Sequence, residues 1–176
     1  MRRLISSALA LAALASCIGP PAPRPAAPVP VPRPTTLPPA PAPAPLAADW
    51  RDWPLTPGDW VYRQDGRGSI ALFGRPGADA DLTLRCDRNE RAVYLSRAGV
   101  GGNAFTVRTT SLTRALTAQP TGGTPAYVAT RIGATDSLLD GMGFSRGRFT
   151  VEAPGMAPLV VPAWAEVLRI TEDCRD

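Results

Sequence analysis

The chain has neither histidine nor lysine: all 19 basic residues among its 176 are arginine. Without an imidazole there can be no Ser-His-Asp triad, no Cys-His pair and no histidine-ligated metal, and without lysine no Ser-Lys pair. Net charge is small where it would matter. The whole chain carries +4, but with Arg2, Arg3, Arg24 and Arg33 set aside residues 50–176 hold 15 arginines against 14 acids. A near-neutral domain lacks the basic footprint that nucleic acid requires, so no nucleic-acid partner is expected. Long apolar runs are missing too: the stretch from Leu4 to Ala15 falls short of the roughly 20 residues that span a bilayer.

That short stretch follows a positive Met1-Arg2-Arg3 start and ends in Leu14-Ala15-Ser16-Cys17, so residues 1–16 are predicted to be an export signal of the Sec type. Leu14-Ala15-Ser16-Cys17 resembles the lipobox of bacterial lipoproteins. The resemblance implies cleavage before Cys17, a diacylglyceryl (and palmitate-type) modification of that residue, and membrane attachment through the lipid, since two or more acyl chains anchor stably. Ile18 follows the cysteine in place of the Asp that retains such proteins at the inner membrane. The implied address is therefore the outer membrane, with the domain facing the periplasm. The alternative is an ordinary secretory signal cut after Ala13-Leu14-Ala15, with Cys17 left as a thiol.

Residues 17–49 are predicted to be a lipidated N-terminus and proline-rich linker. Between positions 20 and 45 there are 13 prolines in 26 positions, a composition that favours polyproline II and a reach on the order of 80 Å. A spacer fits this place between anchor and domain; a ligand for a proline-binding groove is the other use of such a tract.

Residues 50–176 are predicted to be one β-rich periplasmic domain. Short alternating runs broken by Gly, Pro and Asp place strands at 59–64, 69–74, 81–87, 91–98, 104–110, 112–118, 126–132, 148–152 and 159–161, with a loop at 119–125. Residues 81–87 and 91–98 should pair across Asp87-Arg88-Asn89-Glu90. Asp136 should cap a short helix that buries Leu138, Leu139 and Met142. Pro162 fits the first turn of a closing helix whose stripe is Trp164, Val167, Leu168, Thr171 and Cys174. The fold class is mostly β: a small antiparallel β-sandwich or partly open barrel, with one short helix and a C-terminal helix packed on the sheet.

With Cys17 lipidated, Cys86 and Cys174 remain, an even number projecting from apolar faces in a compartment that permits disulfides. They are expected to bond; two buried reduced thiols are the alternative. Gly143-Phe144-Ser145-Arg146-Gly147 matches G-x-S-x-G, but the strand-turn-helix context and the histidine base that motif needs are both missing. Acid pairs, Asp136 with Asp140 and Asp79 with Asp81, could supply the two carboxylates of a small hydrolase. Asp136 is also explained as a cap, and Asp79 and Asp81 as solvated residues entering a strand. Arg131, Arg146 and Arg148 could converge near residues 141–147 on an anionic group, and Trp50 and Trp53 could stack on a sugar or partner. Scattered solvated arginines and an indole sealing the sheet are the plainer readings. No metal site, no cofactor and no catalytic residue is expected.

The order of an opening Trp, a hairpin with an inward cysteine, a short helix, a hairpin and a terminal helix resembles small periplasmic β-sandwich proteins such as the invasion-associated locus B family, and implies a fold but no site residue. In size and disulfide use the domain is also similar to the membrane-bound C-type lysozyme inhibitors, although the Ser-Gly-x-x-Tyr kind of loop that carries inhibition there is absent. The expected function is that of an outer-membrane-anchored lipoprotein presenting a binding or structural domain, not an enzyme, with an envelope protein or peptidoglycan as partner. A paired-carboxylate hydrolase and an inhibitor of a wall-degrading enzyme are the alternatives.

Overall fold

Alternation of apolar and polar side chains governs the chain from residue 59 onward. In the computed structural model, which describes residues 46–176, Asp59–Asp65 (β1) pairs with Gly68–Gly74 (β2), and Leu82–Asp87 (β3) with Ala92–Ala98 (β4). Ala104–Arg108 (β5) and Thr113–Thr117 (β6) form a third hairpin, Gln119–Pro120 (β7) pairs with Tyr127–Gly133 (β8), and Arg148–Glu152 (β9) with Leu159–Pro162 (β10). The helices are Ser137–Gly143 (α1) and Ala165–Arg175 (α2). The export signal, Cys17 and the proline tract expected from the sequence lie outside the described residues.

Every pairing is antiparallel, and the strands form two sheets, ordered β1-β2-β3-β4-β8-β7 and β10-β9-β5-β6. The fold is mostly β, a small antiparallel sandwich with one short helix and a C-terminal helix on the larger sheet, and neither sheet closes into a barrel.

Register shows how the larger sheet divides its inner face. Gln64, Ser69, Cys86, Val93 and Ile132 align in one row, Tyr62, Ala71, Leu84, Leu95 and Thr130 in the next, and Trp60, Phe73, Leu82, Arg97 and Val128 in the third. The first row lies by α2, as the Cys86–Cys174 disulfide shows. The third row meets the smaller sheet: the Trp60 indole donates to the Pro162 carbonyl at 2.9 Å, and Arg97 donates to the carbonyls of Val151 (2.7 Å) and Ala157. Phe105, Val107, Phe149 and Val151 fill the facing side, and all four are fully buried. Each such large side chain contributes about 1.5–3 kcal/mol by leaving water.

The β3–β4 turn is built by one carboxylate. Asp87 Oδ1 accepts from the backbone amides of Asn89 (3.1 Å) and Glu90 (3.3 Å), while Oδ2 takes the Arg67 guanidinium at 2.6 Å. The Arg67 hydrogen bonds, with the backbone amides beside them, hold this carboxyl below the usual carboxylate range. Gly68 sits at φ 147°, where an added Cβ would lie 2.7 Å from the Cys86 carbonyl oxygen, so the close approach of β2 to β3 requires glycine.

The structure corrects the closing segment. Pro162 is the last residue of β10 and lies opposite Arg148; the helix begins at Ala165 with Trp164 as its N-cap. A proline at a strand's end loses no ladder bond it was placed to make, so it serves there as well as in a helix's first turn. Trp164 is 46 % exposed, and the buried stripe is Val167, Ile170, Thr171 and Cys174. Within the expected loop at 119–125, Gln119–Pro120 adds a short edge strand.

Candidate functional site

The β5–β6 turn is organised by Thr109, which is 3 % exposed and whose hydroxyl receives the Leu112 amide at 3.0 Å. That folding presents the next two residues, Thr110 and Ser111, outward. Opposite them runs the loop from α1 to β9. Ser145 fastens the two together: its hydroxyl accepts from the Thr110 amide at 3.1 Å and donates to the Arg148 carbonyl, and the Arg146 amide donates to Thr110 Oγ1 at 3.2 Å. The central serine of the G-x-S-x-G match is therefore a buried clamp between loops, with its proton committed to a carbonyl.

A third wall comes from the 3-10 turn at Trp50–Asp52, capped by Asp49, whose carboxylate accepts from the Arg51 amide at 2.9 Å. The Arg51 guanidinium lies 4.9 Å from the centroid of the Trp50 ring, within cation–π range. The Trp53 indole donates to the Ala47 carbonyl at 2.7 Å, and the Trp53 carbonyl accepts from the Arg148 guanidinium. Together the three segments enclose a cleft of about 420 Å³ lined by Arg51, Thr110, Ser111, Arg146 and Arg148. No acid lines it. The Asp49 carboxylate, 3.4 Å from Arg51, is the one acid that pairs with any of its arginines among the described residues. Guanidinium groups stay charged at any ordinary pH, so the cleft is a concentration of fixed positive charge with two hydroxyls on its far wall.

Four of the five surface residues expected from the sequence thus gather here: Arg146 and Arg148 line the cleft, while Trp50 and Trp53 support its third wall. Arg131 does not join them. It projects from the outer face of β8, donates to the Glu90 carbonyl at 2.9 Å and lies 3.6 Å from the Glu90 carboxylate. There it borders a separate groove of about 530 Å³ with Tyr94 and Gln119. Tyr94 donates to the same carboxylate, and that bond raises its phenol above the ordinary value. The expected three-arginine convergence fails because β8 and β9 belong to different sheets.

Arg51, Thr110 and Ser111 complete the cleft and were not singled out in the sequence. The signals were present but faint: an arginine set between two tryptophans, and a run of three hydroxyl residues at the end of a strand.

The members of the first acid pair are engaged by separate arginines. Asp136 caps α1 through the Leu138 amide at 2.8 Å and pairs with Arg114, while Asp140 takes both amino groups of Arg175 at 2.9 and 3.0 Å. Asp79 and Asp81 border an open hollow of about 300 Å³ with Thr56 and Arg75. Cys86 and Cys174 are joined in a buried disulfide with a Cα–Cα separation of 5.4 Å. Among the described residues no group of three or more acids and cysteines could hold a metal ion, and no helix is long and apolar enough to cross a membrane. No family model matches the chain, and neither a curated protein nor a solved structure is similar enough to match it.

Proposed function

We propose that the protein is an exported lipoprotein, anchored in the outer membrane through lipid on Cys17 and holding its β-sandwich in the periplasm beyond the 20–45 spacer. The domain works by binding, with an envelope component as its partner, and not by catalysis. The observation that carries the reading is the Cys86–Cys174 disulfide. It belongs to an oxidising compartment and uses two of the three cysteines, leaving Cys17 for the lipid. The engagement of Asp136 and Asp140 by separate arginines supports binding over hydrolysis, because each carboxylate already holds its own partner within the fold. The acid-free arginine cleft supplies a surface for that binding.

Growth of the bacterium with an alkyne-bearing palmitate tests the anchor. The wild-type chain should take up the label and sediment with outer membranes, and Cys17→Ser should do neither. Equal labelling of the two forms, or an unlabelled wild type, would overturn the reading.

A further inference from the structure

The geometry points to the cleft of Arg51, Arg146 and Arg148 as a binding site for a phosphate monoester group, a conclusion that deepens the reading of the domain as a binding module and rests on it. The argument begins with charge. Three guanidiniums reach one cleft from three segments of chain, and the five residues lining it include no acid. Arg146 and Arg148 make no ion pair among the described residues, and residues 1–45, which lie outside the described structure, contain no Asp or Glu to supply one. Positive charge of this density repels itself unless an anion occupies it.

Valence narrows the class of anion. A carboxylate is a single charge with two oxygens and is satisfied by one guanidinium fork. A phosphate monoester carries about −1.5 to −2 charges and three terminal oxygens, which suits several guanidiniums and hydroxyl donors acting together. Thr110 Oγ1 already accepts from the Arg146 amide at 3.2 Å, which leaves its proton to donate to an oxyanion. Ser111 stands beside it on the same wall. The cleft, at about 420 Å³, is far roomier than an oxyanion needs, given a share of about 30 Å³ for a water molecule, so it also admits part of the alcohol that bears the phosphate.

Two of the arginines are positioned in advance, Arg148 by a neutral partner and Arg51 by a ring face together with the Asp49 carboxylate 3.4 Å away. Arg148 is tied to the Trp53 carbonyl, and Arg51 rests on the Trp50 ring. A carbonyl or a ring face fixes a guanidinium without neutralising it, and Asp49 offsets part of the charge of Arg51 alone, so little ordering remains when the anion arrives. Arg146 is exposed, with only its backbone amide engaged among the described residues, and is the arm that closes over the ligand. Phe144, 71 % exposed and two residues before Arg146, and Trp164, 46 % exposed, are the exposed aromatics of the α1–β9 loop and the α2 N-cap.

The test uses the full chain carrying Cys17→Ser, exported so that the disulfide forms, and titrated with inorganic phosphate while tryptophan emission and the melting midpoint are followed. Saturable binding is expected, weakened by added sodium chloride and about tenfold weaker in Arg146→Ala, the change expected for one lost charge-assisted contact. Arg63→Ala, which removes an exposed arginine on β1 away from the cleft, should titrate as the parent does. Two further probes separate the sources of the group. Tighter binding of glucose 1-phosphate than of phosphate assigns a soluble ester. Sedimentation with phosphatidylcholine vesicles only when they contain phosphatidic acid, lost in Phe144→Ser, assigns a membrane phosphate. Either result supports the site. Absence of binding to all three probes, or an unchanged titration in Arg146→Ala, overturns it. Palmitate labelling of Cys17 in the unmodified chain is read separately, so loss of the phosphate site and loss of the lipoprotein reading are distinguishable.

Discussion

Arginine is the only cationic side chain in the sequence, and two regions of the domain use it in opposite ways. Beside α2 the charges are matched. Arg67 holds Asp87 at 2.6 Å, and Arg175 holds Asp140 through two bonds. At the cleft Arg51 is shared between the Trp50 ring and the Asp49 carboxylate, Arg148 is held by a carbonyl, and Arg146 has no ion-pair partner among the described residues. Fixing a guanidinium by a carboxylate spends its charge inside the fold; fixing it by a neutral group leaves the charge available to something outside. The first region is a closure, and the second leaves guanidinium charge at the surface.

The sharpest way to break the closure is to open the disulfide. It bridges 88 positions of sequence, and Cys86→Ser with Cys174→Ser should cost on the order of 4 kcal/mol in the chain-entropy picture, read as a fall in the urea midpoint. Arg97 offers the next test, because it is a buried arginine held by carbonyls alone, and burial lowers its basicity. Arg97→Leu strands the Val151 and Ala157 carbonyls and should lose about 2–3 kcal/mol. Arg146→Ala, on the same scale, should change stability by no more than about 0.5 kcal/mol. If the two substitutions cost alike, the division between structural and available arginines is wrong.

A smaller effect of opposite sign is expected at Ser69. Its hydroxyl is buried with no hydrogen-bond partner, in the row that contains Cys86. Ser69→Ala should therefore stabilise the domain by about 1 kcal/mol, measured against the parent in urea. Acid provides the last comparison. The carboxyls of Asp87 and Asp65 are held below the ordinary value by hydrogen bonds from Arg67 and Arg85. Their stabilisation is fully present above the unfolded value of about 3.9 and is lost as pH falls through the lower folded values. Asp87→Asn should flatten the decline of stability in that acid window, and a decline as steep as in the parent would show that other groups set it.

Much of the closure was legible in the sequence. Leu82, Leu84 and Cys86 alternate with Thr83 and Arg85, and that period of two gives both the strand and the direction of the cysteine. Asp136 ahead of Leu138 and Leu139 reads as a cap because the side chain and the amide it serves are two residues apart. Helix α2 was harder. Pro162 suits a helix's first turn and a strand's last residue equally, so local pattern cannot choose between them, and the early start moved Trp164 onto the stripe and left Ile170 out. The cleft was legible only in pieces. Arg148 and the Trp53 carbonyl are 95 positions apart, a distance over which no periodicity carries information. Arg131 and Arg148 lie close in sequence but enter different sheets, and only the pairing of β8 with β4 and of β9 with β5 decides that.

That alternation between sheets also governs how the molecule assembles. The chain lays down β1 to β4 in one sheet, β5 and β6 in the other, returns for β7 and β8, and leaves again for β9 and β10. The larger sheet is completed only after half of the smaller has been made, and the smaller only after all of the larger, so neither forms from one continuous stretch of chain and the transition should be all-or-none by any probe. Pairings this distant in sequence close slowly, on a scale of milliseconds to seconds. Until β8 arrives, β4 presents an open edge, and that interval is when aggregation competes most strongly with the native fold.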